Sequence, residues 1–158
     1  MRLRMITLVA ICSGALVARA GSPLNTGSDA NETARLLKAI RADAEQIRVS
    51  SSNLERLAKT PDAKWLDYDR QWNLIKPVQE RIDLAMQRLE RMQASLSPGE
   101  RQAFDQTKRD AAEIAGETHD LWTRIGQPKA DLSAPALSAA VRMERAARDL
   151  IKTTTSAT

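Results

Sequence analysis

Only five aromatic residues occur in this chain of 158, and four of them, Trp65, Tyr68, Trp72 and Trp122, are spaced so that one fold-back would bring them together. If the segment ending near Leu96 turns at Ser97 and Pro98 and runs back antiparallel, Trp122 falls level with position 73, beside Trp72. Such a cluster has two readings. It could be an apolar pocket for a ligand or a partner's side chain, or plain core mass at the wide end of a helical bundle. The same fold-back sets Pro77 near Thr118, with Gly116 and Gln79 close by. A bend at Pro77 opposite small or polar residues would open a cavity, whereas Gln79 and Gln93 on an apolar seam would fix helix register. The candidate binding residues are therefore Trp65, Tyr68, Trp72, Gln79, Thr118 and Trp122.

Other chemistry finds little support. His119 is the sole histidine, with Glu113, Glu117 and Asp120 nearby. Helical phase counted from Ala111, Ile114, Thr118 and Leu121 turns His119, Asp120 and Glu113 toward water. Carboxylate-bridged metal sites in bundles use Glu-x-x-His pairs from facing helices. The residue three before His119 is Gly116, which has no side chain to offer. No G-x-S-x-G turn, phosphate-cradling glycine loop or nucleophile with a positioned base occurs, so no catalytic residue, metal or other cofactor is expected.

The elements that would position these residues are helices. Apolar residues recur every three or four positions along Leu37, Ile40, Ala44, Ile47, Leu54 and Ala58, with Ser51 in the one polar slot. A second stripe runs through Trp65, Tyr68, Trp72, Ile75, Gln79, Ile82, Met86, Leu89, Gln93 and Leu96. A third joins Phe104, Thr107, Ala111, Ile114, Thr118, Leu121 and Ile125, and a fourth Leu137, Ala140, Met143, Ala147, Leu150 and Ile151. Start signals punctuate them. Asp29 with Glu32 resembles a capping box, Thr60-Pro61 reads as a cap followed by proline at the first helical position, and Ser97-Pro98-Gly99-Glu100 combines both devices. These signals predict helices at about 29–59, 61–96, 98–125 and 134–152, with Pro77 bending the second. No segment alternates with period two. The expected fold is all-α, an elongated antiparallel bundle of three to four helices with coiled-coil-like seams spanning 29–152.

The ends read differently. Arg2 and Arg4 precede an apolar run from Met5 to Val17 that closes on Ala18-Arg19-Ala20, the pattern of a signal peptide over 1–20. Cleavage near Ala20 would export the chain to the periplasm or beyond, and retention would leave it as an anchor. No later run could serve as a transmembrane helix. A flexible leader over 21–28 and a disordered tail over 153–158 are expected at the flanks. Removal of residues 1–20 takes Arg2, Arg4 and Arg19 with no acid, so Lys plus Arg falls from 24 to 21 against 20 acids and the net charge from +4 to +1. A near-neutral chain with interspersed signs lacks the basic face that nucleic-acid binding requires. The same cut removes Cys12 and with it any disulfide or thiolate site. Pairs such as Glu55 with Lys59 and Glu144 with Arg148 suggest a water-facing surface.

Two resemblances can be named. Ala58-Lys59-Thr60-Pro61 with Trp65, and later Gln87-Arg88-Leu89-Glu90, resemble a group of small secreted helical proteins of environmental bacteria, over about residues 40–125. Leu96-Ser97-Pro98-Gly99-Glu100-Arg101 with Phe104 is similar to the Leu-Thr-x-x-Gln motif of the periplasmic Spy/CpxP chaperone family. In that family the motif occurs twice and the helices form a cradle for partly unfolded clients. Here it occurs once, with Ser for Thr and Glu for Gln. The leading expectation is an exported, non-enzymatic interaction or structural module, working with a protein partner or by self-association. The alternatives are a chaperone-like stress protein and a sensor bundle for a small apolar ligand.

Overall fold

The computed structural model describes residues 26–127 and 131–157. The expected signal peptide lies outside the described residues, as do positions 21–25 of the expected leader. Four helices follow one another: α1 over Thr26–Ala58, α2 over Trp65–Arg91, α3 over Pro98–Ile125 and α4 over Ser133–Ser156. Among the described residues there is no strand, and no helix is long and apolar enough to cross a membrane.

Cross-helix bonds fix the topology. Arg81 on α2 binds Asp43 on α1. Lys108 on α3 binds Glu90 on α2, while Trp72 donates to the carbonyl of Thr118 farther back along the same pair. Arg142 and Arg145 on α4 bind Glu117 and Glu113 on α3. In the α2–α3 and α3–α4 pairs the residue number rises on one helix as it falls on the other, so these neighbours run antiparallel. α1 packs on both α2 and α4, closing an all-α four-helix bundle. Its longest helix, α1, has 33 residues, or about 50 Å at roughly 1.5 Å per residue, which makes the bundle elongated.

The core follows the predicted stripes. Leu37, Ile40, Ala44, Ile47 and Leu54 of α1 are buried, as are Ile75, Ile82 and Leu89 of α2 and Ile114, Leu121 and Ile125 of α3. α4 turns a broader face inward than its stripe implied, adding Ala136, Ala139 and Ala146 to Ala140 and Ala147. Those methyl-sized side chains let α4 lie close against the large aliphatics of α1, the most extensive helix pair.

Several boundaries differ from expectation, each for a local reason. α1 opens at Thr26 rather than Asp29, and Glu32 pairs with Arg35 instead of reaching back to a cap. Thr60-Pro61 does not start α2, because Asp62 adopts a left-handed φ of 58° that no helix contains. The helix starts at Trp65, where the Asp67 carboxylate accepts from the Lys64 amide at 3.1 Å. α2 runs unbroken through Pro77 and stops at Arg91, with a 3-10 turn over Gln93–Ser95 replacing its expected last turn. Leu96 is thereby buried beneath the connection.

α3 begins as expected: the Glu100 amide donates to Ser97 Oγ at 3.3 Å, and Glu100 accepts from the Ser97 amide at 2.8 Å. The supposedly disordered tail is largely helical. α4 continues to Ser156 because Thr154 is fully buried and its hydroxyl donates to the Leu150 carbonyl at 2.8 Å.

Candidate functional site

The aromatic residues assemble along the α2–α3 seam. Trp72 and Trp122 stack with ring centroids 4.2 Å apart at an interplanar angle of 20°. Trp72 is buried and donates its indole N–H to the Thr118 carbonyl at 3.2 Å. Lys76, one turn along α2, sets its ammonium 5.1 Å from the Trp72 ring centroid. Two turns nearer the start of α2, Trp65 reaches across to the Ile125 carbonyl at 2.6 Å. Both anchored indoles bond a carbonyl of α3, which leaves their ring faces to be covered or exposed by what surrounds them.

Exposure divides the four rings. Tyr68 and Trp72 are core residues, whereas Trp65 is 53% exposed and Trp122 43% exposed. Tyr68 is buried so completely that its hydroxyl has no hydrogen-bond partner in the structure. It forms part of the core beneath the seam.

Beside the stack lies a depression of about 220 Å³ lined by Trp72, Lys76, Gln79, Thr118, His119 and Trp122, together with Ala115. Four of the six sequence-derived candidates therefore meet in one place, and Trp65 and Tyr68 lie outside it. Gln79 is half-buried and donates to Asp83 on its own helix rather than across the seam, and Gln93 is exposed in the 3-10 turn. Burial raises the Asp83 carboxyl above its ordinary value, and Glu80 adds to the effect. Thr118 is occupied as well, its hydroxyl donating to the Ile114 carbonyl at 2.8 Å and lying 3.6 Å from Met143 Sδ. Gly116 is exposed, and a Cβ placed there would meet nothing within 4 Å, so it opens no cavity opposite Pro77. Among the described residues, no three His, Cys, Asp or Glu side chains converge as a metal cage.

A larger feature went unseen in the sequence. Between the first half of α3 and the last turns of α4 lies a groove of about 650 Å³, whose lining includes Glu100, Gln106, Arg109, Asp149, Lys152 and Thr153. Its existence depends on α4 continuing past Lys152, which the apparent tail composition concealed. Beside its lining, Asp110 is 6% exposed, and its Oδ1 accepts from Gln106 at 2.8 Å while its Oδ2 has no partner. Burial pushes the Asp110 carboxyl up. The charges of Asp149 and Glu113 add to that rise, against opposing contributions from Gln106 and Arg109.

A third surface is apolar. Val49 on α1 and Leu74 on α2 are both more than half exposed and flank a depression of about 360 Å³ that Val78 also lines. Compared with protein-family models, with curated proteins and with solved structures, the chain matches none of them.

Proposed function

We propose that this chain is an exported, non-enzymatic interaction module that associates through the aromatic face of α2 and α3, with a second copy of itself in the simplest case. One observation carries the reading: Trp65 and Trp122 remain about half exposed on the same seam while their polar edges or neighbouring rings are already fixed. A bundle that needed aromatic mass only as filling would bury these rings. Covering what remains of each indole, roughly 100 Å², would contribute about 2.5 kcal/mol per ring. Both indoles are held in place before any partner arrives, so little side-chain entropy opposes that gain. Export rests on the N-terminal pattern of Arg2, Arg4 and the apolar run that follows.

The test is sedimentation velocity of the purified protein over a range of concentrations, beside Trp65→Ser/Trp122→Ser. Association that is lost in the double variant supports the reading. A strict monomer that also captures nothing from a periplasmic extract overturns it.

A chaperone-like role is the second reading, favoured by the separate apolar depression at Val49, Leu74 and Val78. An unfolded client would use apolar surface on more than one face. The Leu96 to Phe104 likeness adds little to it, because Ser97 and Glu100 are accounted for as a helix cap. Failure to suppress aggregation of an unfolded client at near-equal stoichiometry would end this reading. A small-ligand sensor at the tryptophan stack is disfavoured by size, since about 220 Å³ falls below the roughly 300–1,000 Å³ of ordinary ligand sites.

A further inference from the structure

The seam between α3 and α4 is stapled at one end and open at the other. Glu117 pairs with Arg142, and one turn earlier on α3 Glu113 pairs with Arg145. Continuing the same antiparallel register by one more turn brings Asp110 level with Asp149, acid facing acid. There the ladder of bridges ends and the groove of about 650 Å³ begins. By helical phase, Asp110 stands on the strip of α3 that carries the groove residues Ala103 and Gln106, one layer beneath them. Its Oδ2 is an acceptor without a hydrogen-bond partner, in a side chain only 6% exposed.

Two cations stand at the same level, Arg109 on α3 and Lys152 on α4. Neither forms an ion pair among the described residues. Arg109 donates only to the neutral Gln106 Oε1, at 2.6 Å, although Asp105 lies four residues before it. The closed end thus holds two carboxylates and two cations that form no salt bridge among the described residues, with Asp149, Arg109 and Lys152 lining the groove and Asp110 beside it. A bare metal ion does not suit this set, because hard cations take six or more oxygen ligands and no third acid or histidine converges here among the described residues.

We propose that the α3–α4 groove binds a small zwitterion of the α-amino acid type. Its ammonium sits between Asp110 and Asp149, and its carboxylate rests against Arg109 and Lys152. The ligand's side chain lies outward along the groove, where Gly99, Ala103 and Ala157 keep the walls low. A Cβ on Gly99 would meet nothing within 4 Å, so that end is open. Seating the ammonium requires the Gln106 amide to release Asp110 Oδ1, while the exposed Arg109 stays at the groove to meet the carboxylate. The volume falls within the roughly 300–1,000 Å³ of ordinary small-molecule sites.

The experiment is a thermal-shift titration of the purified protein at pH 7 with each of the twenty common L-amino acids, at matched ionic strength. The decarboxylated amine and the deaminated acid of every responding compound serve as controls. The expected result is a saturable rise in Tm for at least one amino acid and for neither of its halves. Asp149→Asn and Arg109→Gln each weaken that response about tenfold or more, the loss of one charge-assisted hydrogen bond. Asp105→Asn, exposed and outside the groove lining, leaves it unchanged. The proposal is overturned if no amino acid raises Tm, if the amine or the acid alone does as well, or if Asp149→Asn responds like the wild type. Asp149 and Arg109 are both exposed, so neither variant compromises the core.

Discussion

Trp122 lies nearly flat against Trp72, their ring centroids 4.2 Å apart, so one indole belongs to the core and the other forms its outer cover. The two should behave differently when removed. Trp72→Ala opens a buried cavity and is expected to destabilise the protein by about 3–5 kcal/mol. Trp122→Ala removes a half-exposed ring, with a loss of about 1–2 kcal/mol from the same area argument. Urea denaturation of both variants measures the difference, and equal losses would contradict the assignment of core and cover.

Asp110 makes stability depend on pH in an unusual direction for an acid. Its folded-state pKa is raised, chiefly by burial, so the folded protein holds this proton more tightly than the unfolded chain does. Its contribution is therefore most favourable below the unfolded value of 3.8 and is lost as pH rises through the folded value. Asp110→Asn should raise Tm at pH 7 and leave it nearly unchanged at pH values below both, when scanned by calorimetry. A lower Tm at pH 7 would show the buried carboxylate to be stabilising.

Glu100 works in the opposite sense. Hydrogen bonds from the Ser97 hydroxyl and amide lower its pKa, so its contribution is present above the ordinary carboxylate value and disappears as pH falls through the folded one. Ser97→Ala should cost about 1 kcal/mol at pH 7 and less in acid, read from urea midpoints at the two pH values.

The end of α4 should matter more than its composition suggests. Stopping the chain after Lys152 removes the fully buried Thr154 and the Thr153, Ser156 and Ala157 part of the α3–α4 groove. A loss of about 2 kcal/mol follows from burial of that size, lowering Tm by about 4–8 °C. An unchanged Tm would mean that the last turn carries no packing.

The parts of this fold legible in the sequence were those governed by local periodicity and by caps that satisfy backbone groups directly. The stripe through Ile40, Ile47 and Leu54 predicts the core of α1, and Ser97 with Glu100 predicts the start of α3 to the residue. The Trp72–Trp122 contact followed from antiparallel register alone. Where two local rules compete, reading fails: Thr60-Pro61 has the form of a helix start, but the left-handed Asp62 beyond it defers the helix to Trp65. Thr153 to Ser156 have the composition of a frayed end, yet burial of Thr154 overrides propensity. The α3–α4 groove was invisible because it joins residues that lie far apart in sequence, and it becomes apparent only when Glu117–Arg142 and Glu113–Arg145 set the register. Ring exposure was not legible either, since the stripe treats Trp65 and Tyr68 alike.

The central claim, that the α2–α3 aromatic face is the contact surface, is tested most directly by residue-resolved hydroxyl-radical footprinting of the protein at low and high concentration. Trp65 and Trp122 should lose labelling as the protein associates, while Leu84 and Val141, which are similarly exposed, keep theirs. Protection confined to Leu84 or Val141, or no change at either tryptophan across the concentration range, would contradict it.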